Sequence, residues 1–115
     1  MHEYSVVSAL LDQVHQHARS RGATAVKHLY LAVGELSGLD CGLFETAYAA
    51  FRERTVCADA ALSIRHVPAS WACSECGVPM QPGALTRCAV CSSPGRLVEG
   101  DGIVLERIEM EVGNV

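Results

Sequence analysis

Two places in this 115-residue chain carry residues whose types and spacing can hold a metal ion. The first is a pair of knuckles, Cys73-Ser74-Glu75-Cys76 and Cys88-Ala89-Val90-Cys91, separated by eleven residues. Each Cys-x-x-Cys turns two thiolates toward one point. Two of them supply the four-sulfur tetrahedral set that Zn²⁺ prefers. Four protein ligands close the shell, so the ion would be structural or regulatory, with no position for an activated water. The competing readings are two disulfides or a redox dithiol. A redox motif needs one reactive pair and not two matched ones, and structural disulfides are rare in a reducing compartment. The opening residues Met1-His2-Glu3-Tyr4 lack the basic-then-apolar pattern of an export signal, so a cytoplasmic location is expected. Zinc is the reading that fits all of this.

The second place is the amino terminus. A free α-amine, the following amide nitrogen and an imidazole at position 2 can reach one ion and form fused chelate rings in a plane. Square-planar nitrogen donors suit Ni²⁺ or Cu²⁺, whereas zinc favours tetrahedral sites and magnesium favours oxygen. Glu3 can complete the plane through its amide or add a carboxylate. A bulky second residue also protects Met1 from trimming. On residues alone, the ordinary reading of His2 is a solvated, frayed terminus, and chelation is the sharper alternative. His2-Glu3 does not begin a His-Glu-x-x-His zinc-protease motif, because position 6 is Val. Nor is there the His-x-Glu with Pro-Cys-x-x-Cys of a zinc deaminase.

Composition narrows the function classes. The chain is half apolar with a formal net charge of −4, and its nine Lys and Arg residues are dispersed along it. It therefore lacks the basic stripe of a nucleic-acid binder, and it has no apolar run long enough to span a bilayer. Cys41 and Cys57 stand apart from the knuckles and read as small buried hydrophobes. His15 and His17 lie two apart on one helix and diverge into solvent. His28 and His66 fall in strand-like segments and read as partly buried, satisfied histidines.

The elements that must position these groups follow from periodicity. Val6, Val7, Leu10, Leu11, Val14 and Ala18 recur at helical spacing, predicting a helix over 4–21 stopped by Gly22. Residues 25–34 alternate, with Leu29, Leu31 and Val33 on one face, and predict a strand. A loop through Gly34, Ser37 and Gly38 ends at Asp40, a suitable N-cap for a second helix running to about Arg54. Residues 60–67 predict a second strand closed by Pro68. Residues 102–112 predict a last one, with a bulge where alternation slips between Leu105 and Ile108. Turn formers punctuate the knuckle region: Gly77, Pro79, Pro82 and Gly83, then Ser92-Ser93-Pro94-Gly95. The expected fold is α/β (α+β): two helices on a small mixed three-stranded sheet, with an inserted Cys₄ zinc-ribbon module. The expected division is residues 1–68 with 99–115 as the α/β domain, and 69–98 as the zinc-binding module.

Met1-His2-Glu3 opening a helix, Val33-Gly34-Glu35-Leu36-Ser37-Gly38 after the first strand, and Leu62-Ser63-Ile64 before two Cys-x-x-Cys knuckles together resemble the HypA/HybF proteins. These are nickel-insertion accessory proteins for NiFe-hydrogenase and, in some organisms, urease. The resemblance implies a metallochaperone and not an enzyme, with Ni(II) as cargo at the amino terminus. It makes His2 the essential ligand, with Met1 and Glu3 contributing backbone nitrogens and Asp40 a second-tier candidate. It assigns structural Zn(II) to Cys73, Cys76, Cys88 and Cys91. Some relatives carry histidines beside the knuckles, but none adjoins them here, so a plain Cys₄ site is expected. Implied partners are a nickel-handling GTPase, the hydrogenase large-subunit precursor and, on the urease branch, its maturation proteins. A homodimer is among the implied states, and neither nucleic acid nor membrane is a partner. The alternative is a zinc-ribbon protein-interaction or nucleic-acid-binding module without nickel function, and a redox enzyme using the cysteine pairs is a further rival.

Overall fold

A computed structural model describes residues 2–80 and 87–113. The elements run α1 (Glu3–Ser20), β1 (Ala23–Gly34), α2 (Cys41–Phe51), β2 (Ala61–Val67), β3 (Ser70–Cys73), β4 (Pro79–Met80), β5 (Gly95–Glu99) and β6 (Ile103–Val112). They form two three-stranded sheets, ordered β2-β1-β6 and β4-β3-β5. The expected mixed sheet is present: β1 pairs with β2 in parallel and with β6 antiparallel. The knuckle region adds a small antiparallel sheet of its own. Residues 81–86, which include the predicted turn formers Pro82 and Gly83, lie outside the described residues.

One core lies between the main sheet and the helices. The α1 stripe of Val7, Leu10, Val14 and Ala18 meets Val26, Leu29, Leu31 and Val33 of β1, and Phe44, Ala47 and Tyr48 of α2 close it. The helical spacing on α1 and the alternation on β1 are the same fact seen from two sides, since both present one apolar face to one interior. At the carboxyl end of β1 the alternation gives way to continuous burial from Leu31 to Gly34. That end is covered on both faces.

The expected bulge is present. Tyr30 pairs with Arg107 but Leu31 pairs with Leu105, so Glu106 is the extra residue. It lets Leu105 and Ile108 both pack against the core despite their odd spacing. Glu106 turns outward and accepts two hydrogen bonds from Arg65, at 3.1 and 2.8 Å.

Helix α2 departs from expectation, ending at Phe51 and not near Arg54. Arg54 adopts a left-handed backbone (φ 63°), and the Thr55 amide donates to the Arg52 carbonyl at 3.1 Å. The side chains of Arg52 and Tyr48 both donate to the Ala60 carbonyl, at 2.7 and 2.8 Å, so the loop folds back over its own helix. Helical spacing cannot register a stop that depends on partners eight and twelve residues ahead. Phe44 has no exposed surface, and its removal would leave a cavity under α2. Phe44→Ala should lower the unfolding free energy by about 3–5 kcal/mol, read as a shifted urea midpoint with unchanged slope.

Candidate metal sites

The two knuckles are one turn used twice. The Cys73 amide donates to Val78 O at 2.9 Å and the Gly77 amide to Cys73 O at 3.1 Å. The Cys88 amide donates to Ser93 O at 2.8 Å and the Ser92 amide to Cys88 O at 2.9 Å, at identical offsets. Gly77 (φ 76°) and Ser92 (φ 61°) hold the left-handed position that closes each turn. Ser92 is a site-forming residue that sequence reasoning reads only as turn material. The Cys-x-x-Cys-Gly pattern of the first knuckle, laid over the second, is the signal that marks it.

In each knuckle the first cysteine is buried and the second exposed. All four sulfurs lie within 4.8 Å of one another. Cys73 and Cys91 sulfurs are 3.3 Å apart, Cys76 and Cys88 3.7 Å, and Cys91 and Cys76 3.9 Å. A tetrahedron with zinc–sulfur bonds of about 2.3 Å has edges of about 3.8 Å, so the residues fit that ion. Backbone amides of Cys76 and Glu75 point at Cys73 Sγ, both at 3.4 Å, and lower its pKa. Cys88 is lowered in the same way by the amides of Cys91 and Val90. Cys76 also receives an amide, that of Val78, but its sulfur neighbours and desolvation outweigh it and push the thiol up to about 11. Two thiolates are thus prepared by the backbone, and Cys76 needs a cation to displace its proton.

At the amino terminus, Met1 lies outside the described residues. His2 is exposed at the N-cap of α1, and its side chain makes no capping hydrogen bond. The first helical bond runs from the Val6 amide to the His2 carbonyl at 3.1 Å, so the amides of residues 2–5 have no acceptor within the helix. Glu3 behaves differently. It is only 8% exposed, and its Oε2 accepts from the Asp40 amide at 3.1 Å. Asp40 Oδ1 in turn accepts from the Leu43 amide at 3.0 Å, the predicted N-cap of α2. Two carboxylates thus face the start of α2, where the helix dipole favours negative charge.

Glu3 and Asp40 are therefore brought together, through Glu3's carboxylate and Asp40's backbone. Among the described residues, the four knuckle cysteines are the metal-ligating side chains that converge as a group. His2, Glu3 and Asp40 do not.

The other candidates resolve individually. Cys57 is fully buried and desolvation pushes its thiol up to about 11; Cys41 is half-buried against the core, with its pKa raised mainly by desolvation. Both are packing residues. His15 and His17 are exposed. His28 is half-buried, bonded to Ser63 Oγ at 2.6 Å and stacked on Tyr30 at 4.2 Å. His66 is exposed, against expectation. It lies on β2, which has one neighbour in the sheet. Removing the acceptor between the helices, as in Glu3→Ala, should cost about 1–3 kcal/mol in urea unfolding, and Glu3→Gln, which keeps an oxygen, should cost less.

A family model described as hydrogenase/urease nickel incorporation, metallochaperone, hypA, matches residues 1–110. The hydrogenase maturation factor HypA of Wolinella succinogenes is 39% identical over 114 residues, 96% of each chain. The hydrogenase/urease maturation factor HypA of Helicobacter pylori is 35% identical over 114 residues, covering 96% of this chain and 97% of its own. The solution structure of the Ni metallochaperone HypA from Helicobacter pylori superposes with a TM-score of 0.76, at 34% identity, over 98% of this chain and all of the other.

Proposed function

The chain belongs to the HypA family of hydrogenase/urease nickel-incorporation metallochaperones, and from that premise we propose that it carries Ni(II) on its own amino terminus. The ligands in this reading are the Met1 amine, the amide nitrogens of His2 and Glu3, and the His2 imidazole, in one plane. The observation that carries it is the state of residues 2 and 3. The imidazole is exposed and caps nothing, and the neighbouring amides can lose their protons without breaking a helical bond. The Glu3 carboxylate is spent on Asp40, which supports Glu3 acting through its nitrogen. Asp40, held beside it, is a candidate for approach from one side.

Planar nitrogen ligation selects nickel over oxygen-seeking ions and leaves the axial faces open. A thiolate of the recipient can attack there before the amino terminus lets go, and the softer sulfur donors draw the ion onward. The recipient in this reading is the hydrogenase large-subunit precursor, reached with a nickel-handling GTPase, and urease maturation proteins on a second branch. The amine, the imidazole and the amides bind the ion only without the protons they would otherwise hold. Nickel affinity therefore falls as pH drops.

Cys73, Cys76, Cys88 and Cys91 hold structural Zn(II) in this proposal, which supplies a cross-link and no chemistry at an open position. The proposed division is an α/β nickel domain of residues 1–68 and 99–115 with a zinc module at 69–98. Among the described residues no helix is long and apolar enough to cross a membrane, and the proposed site of action is the cytoplasm.

A Gly-Ser extension before Met1, and separately His2→Ala, should each abolish tight nickel binding in calorimetry while zinc content stays at wild-type level. Unchanged nickel affinity in both would sink the amino-terminal site. Cys73→Ala should release zinc by metal analysis and unfold the module alone; full retention would refute the Cys₄ assignment.

A further inference from the structure

The segment Gly34-Glu35-Leu36 follows β1 and precedes the loop to Asp40, and metal binding leaves it without a role. Its three successive amides all donate, and they alternate between the two linkers that lead into and out of the zinc-module sheet. Gly34 donates to Gly102 O at 2.8 Å, Glu35 to Val67 O at 2.8 Å, and Leu36 to Gly100 O at 2.7 Å. The Glu35 side chain adds a fourth bond, its Oε1 accepting from the Ala69 amide at 2.8 Å. Glu35 thus holds the chain on both sides of Pro68: the carbonyl before it and the first amide after it.

The backbones here are in direct contact. A Cβ on Gly34 would lie 2.3 Å from the Gly100 carbonyl carbon and oxygen. One on Gly100, already at φ 108°, would lie 2.5 Å from Ala69 Cα. Three chain segments stack with no side chain between them, which only glycine permits. Both linkers then continue into β3 and β5, where Ser70 pairs with Glu99.

The geometry points to a clamp: residues 34–36 fix the direction in which the β3–β5 arm leaves the main sheet, and Glu35 is its positioning residue. The arm is a rigid extension of β1 and not a bead on two tethers. A maturation partner that touches both the arm and the amino terminus meets them in one relative orientation. This goes beyond the proposed nickel and zinc sites and depends on the ligands of neither.

Amide exchange in the full-length, zinc-loaded chain tests it. Losing one acceptor from a cooperative clamp in Glu35→Ala should speed exchange at positions 34, 35 and 36 together by about fivefold. The Leu29 and Leu31 amides inside β1 should keep wild-type rates. Glu35→Gln retains an oxygen acceptor and should restore all three positions to within about twofold. Nickel affinity and zinc content should not change in either variant. Acceleration at Ala69 alone would reduce Glu35 to a local contact. Equal acceleration at Leu29 and Leu31 would mean general destabilisation, and failure of the Gln variant to recover would remove the acceptor as the cause. Loss of either metal would place Glu35 in a metal site. Any of these four results overturns the clamp.

Discussion

The double pairing of β1 is the constraint on which everything else hangs. Among the described residues it is the only strand of the main sheet with neighbours on both edges, and its inward residues are the floor under both helices. A strand in that position has no freedom of register, because a slip of one residue would turn Leu29, Leu31 and Val33 out of the core. Its end point is therefore fixed. From that point the chain proceeds directly to the three donating amides, then to the Asp40 cap, then to α2. The amino terminus is tied to the same region from the other side by the Glu3–Asp40 bond.

The electrostatics follow the same economy. Glu3 and Asp40 spend their carboxylates on the amides at the start of α2, Glu106 on Arg65, and Glu109 on Tyr30 at 2.7 Å. On the main sheet the ion pairs are Lys27 with Glu111, Arg65 with Glu106 and Arg107 with Glu109. Surface pairs of this kind add little stability. They do keep the open face of a small sheet from becoming sticky.

Much of the arrangement was readable from spacing. The α1 stripe, the alternation of β1, the Asp40 cap and the bulge near Glu106 are local patterns, and each forces one geometry on its segment. The converging sulfurs were readable too, because two Cys-x-x-Cys units have few ways to fold. What escaped is long-range. The early end of α2 depends on Ala60 receiving Tyr48 and Arg52. The commitment of Glu3 depends on an amide 37 residues away, and no periodicity encodes that partner. The exposure of His66 is long-range in the same sense: which strand lies at an edge is a property of topology and not of the strand's own residues.

The matched turns of the cysteine cluster have unequal backbones. Gly77 rests in the left-handed region without strain, so the first knuckle closes by its own preference. Ser92 occupies the same region with a Cβ, at a cost of about 1 kcal/mol or more, and the second knuckle is held against its preference. Bonds of its own keep the second turn closed, from the Ser92 amide to Cys88 O at 2.9 Å and from the Arg87 side chain to Ser92 O at 3.0 Å, where the first turn has a glycine.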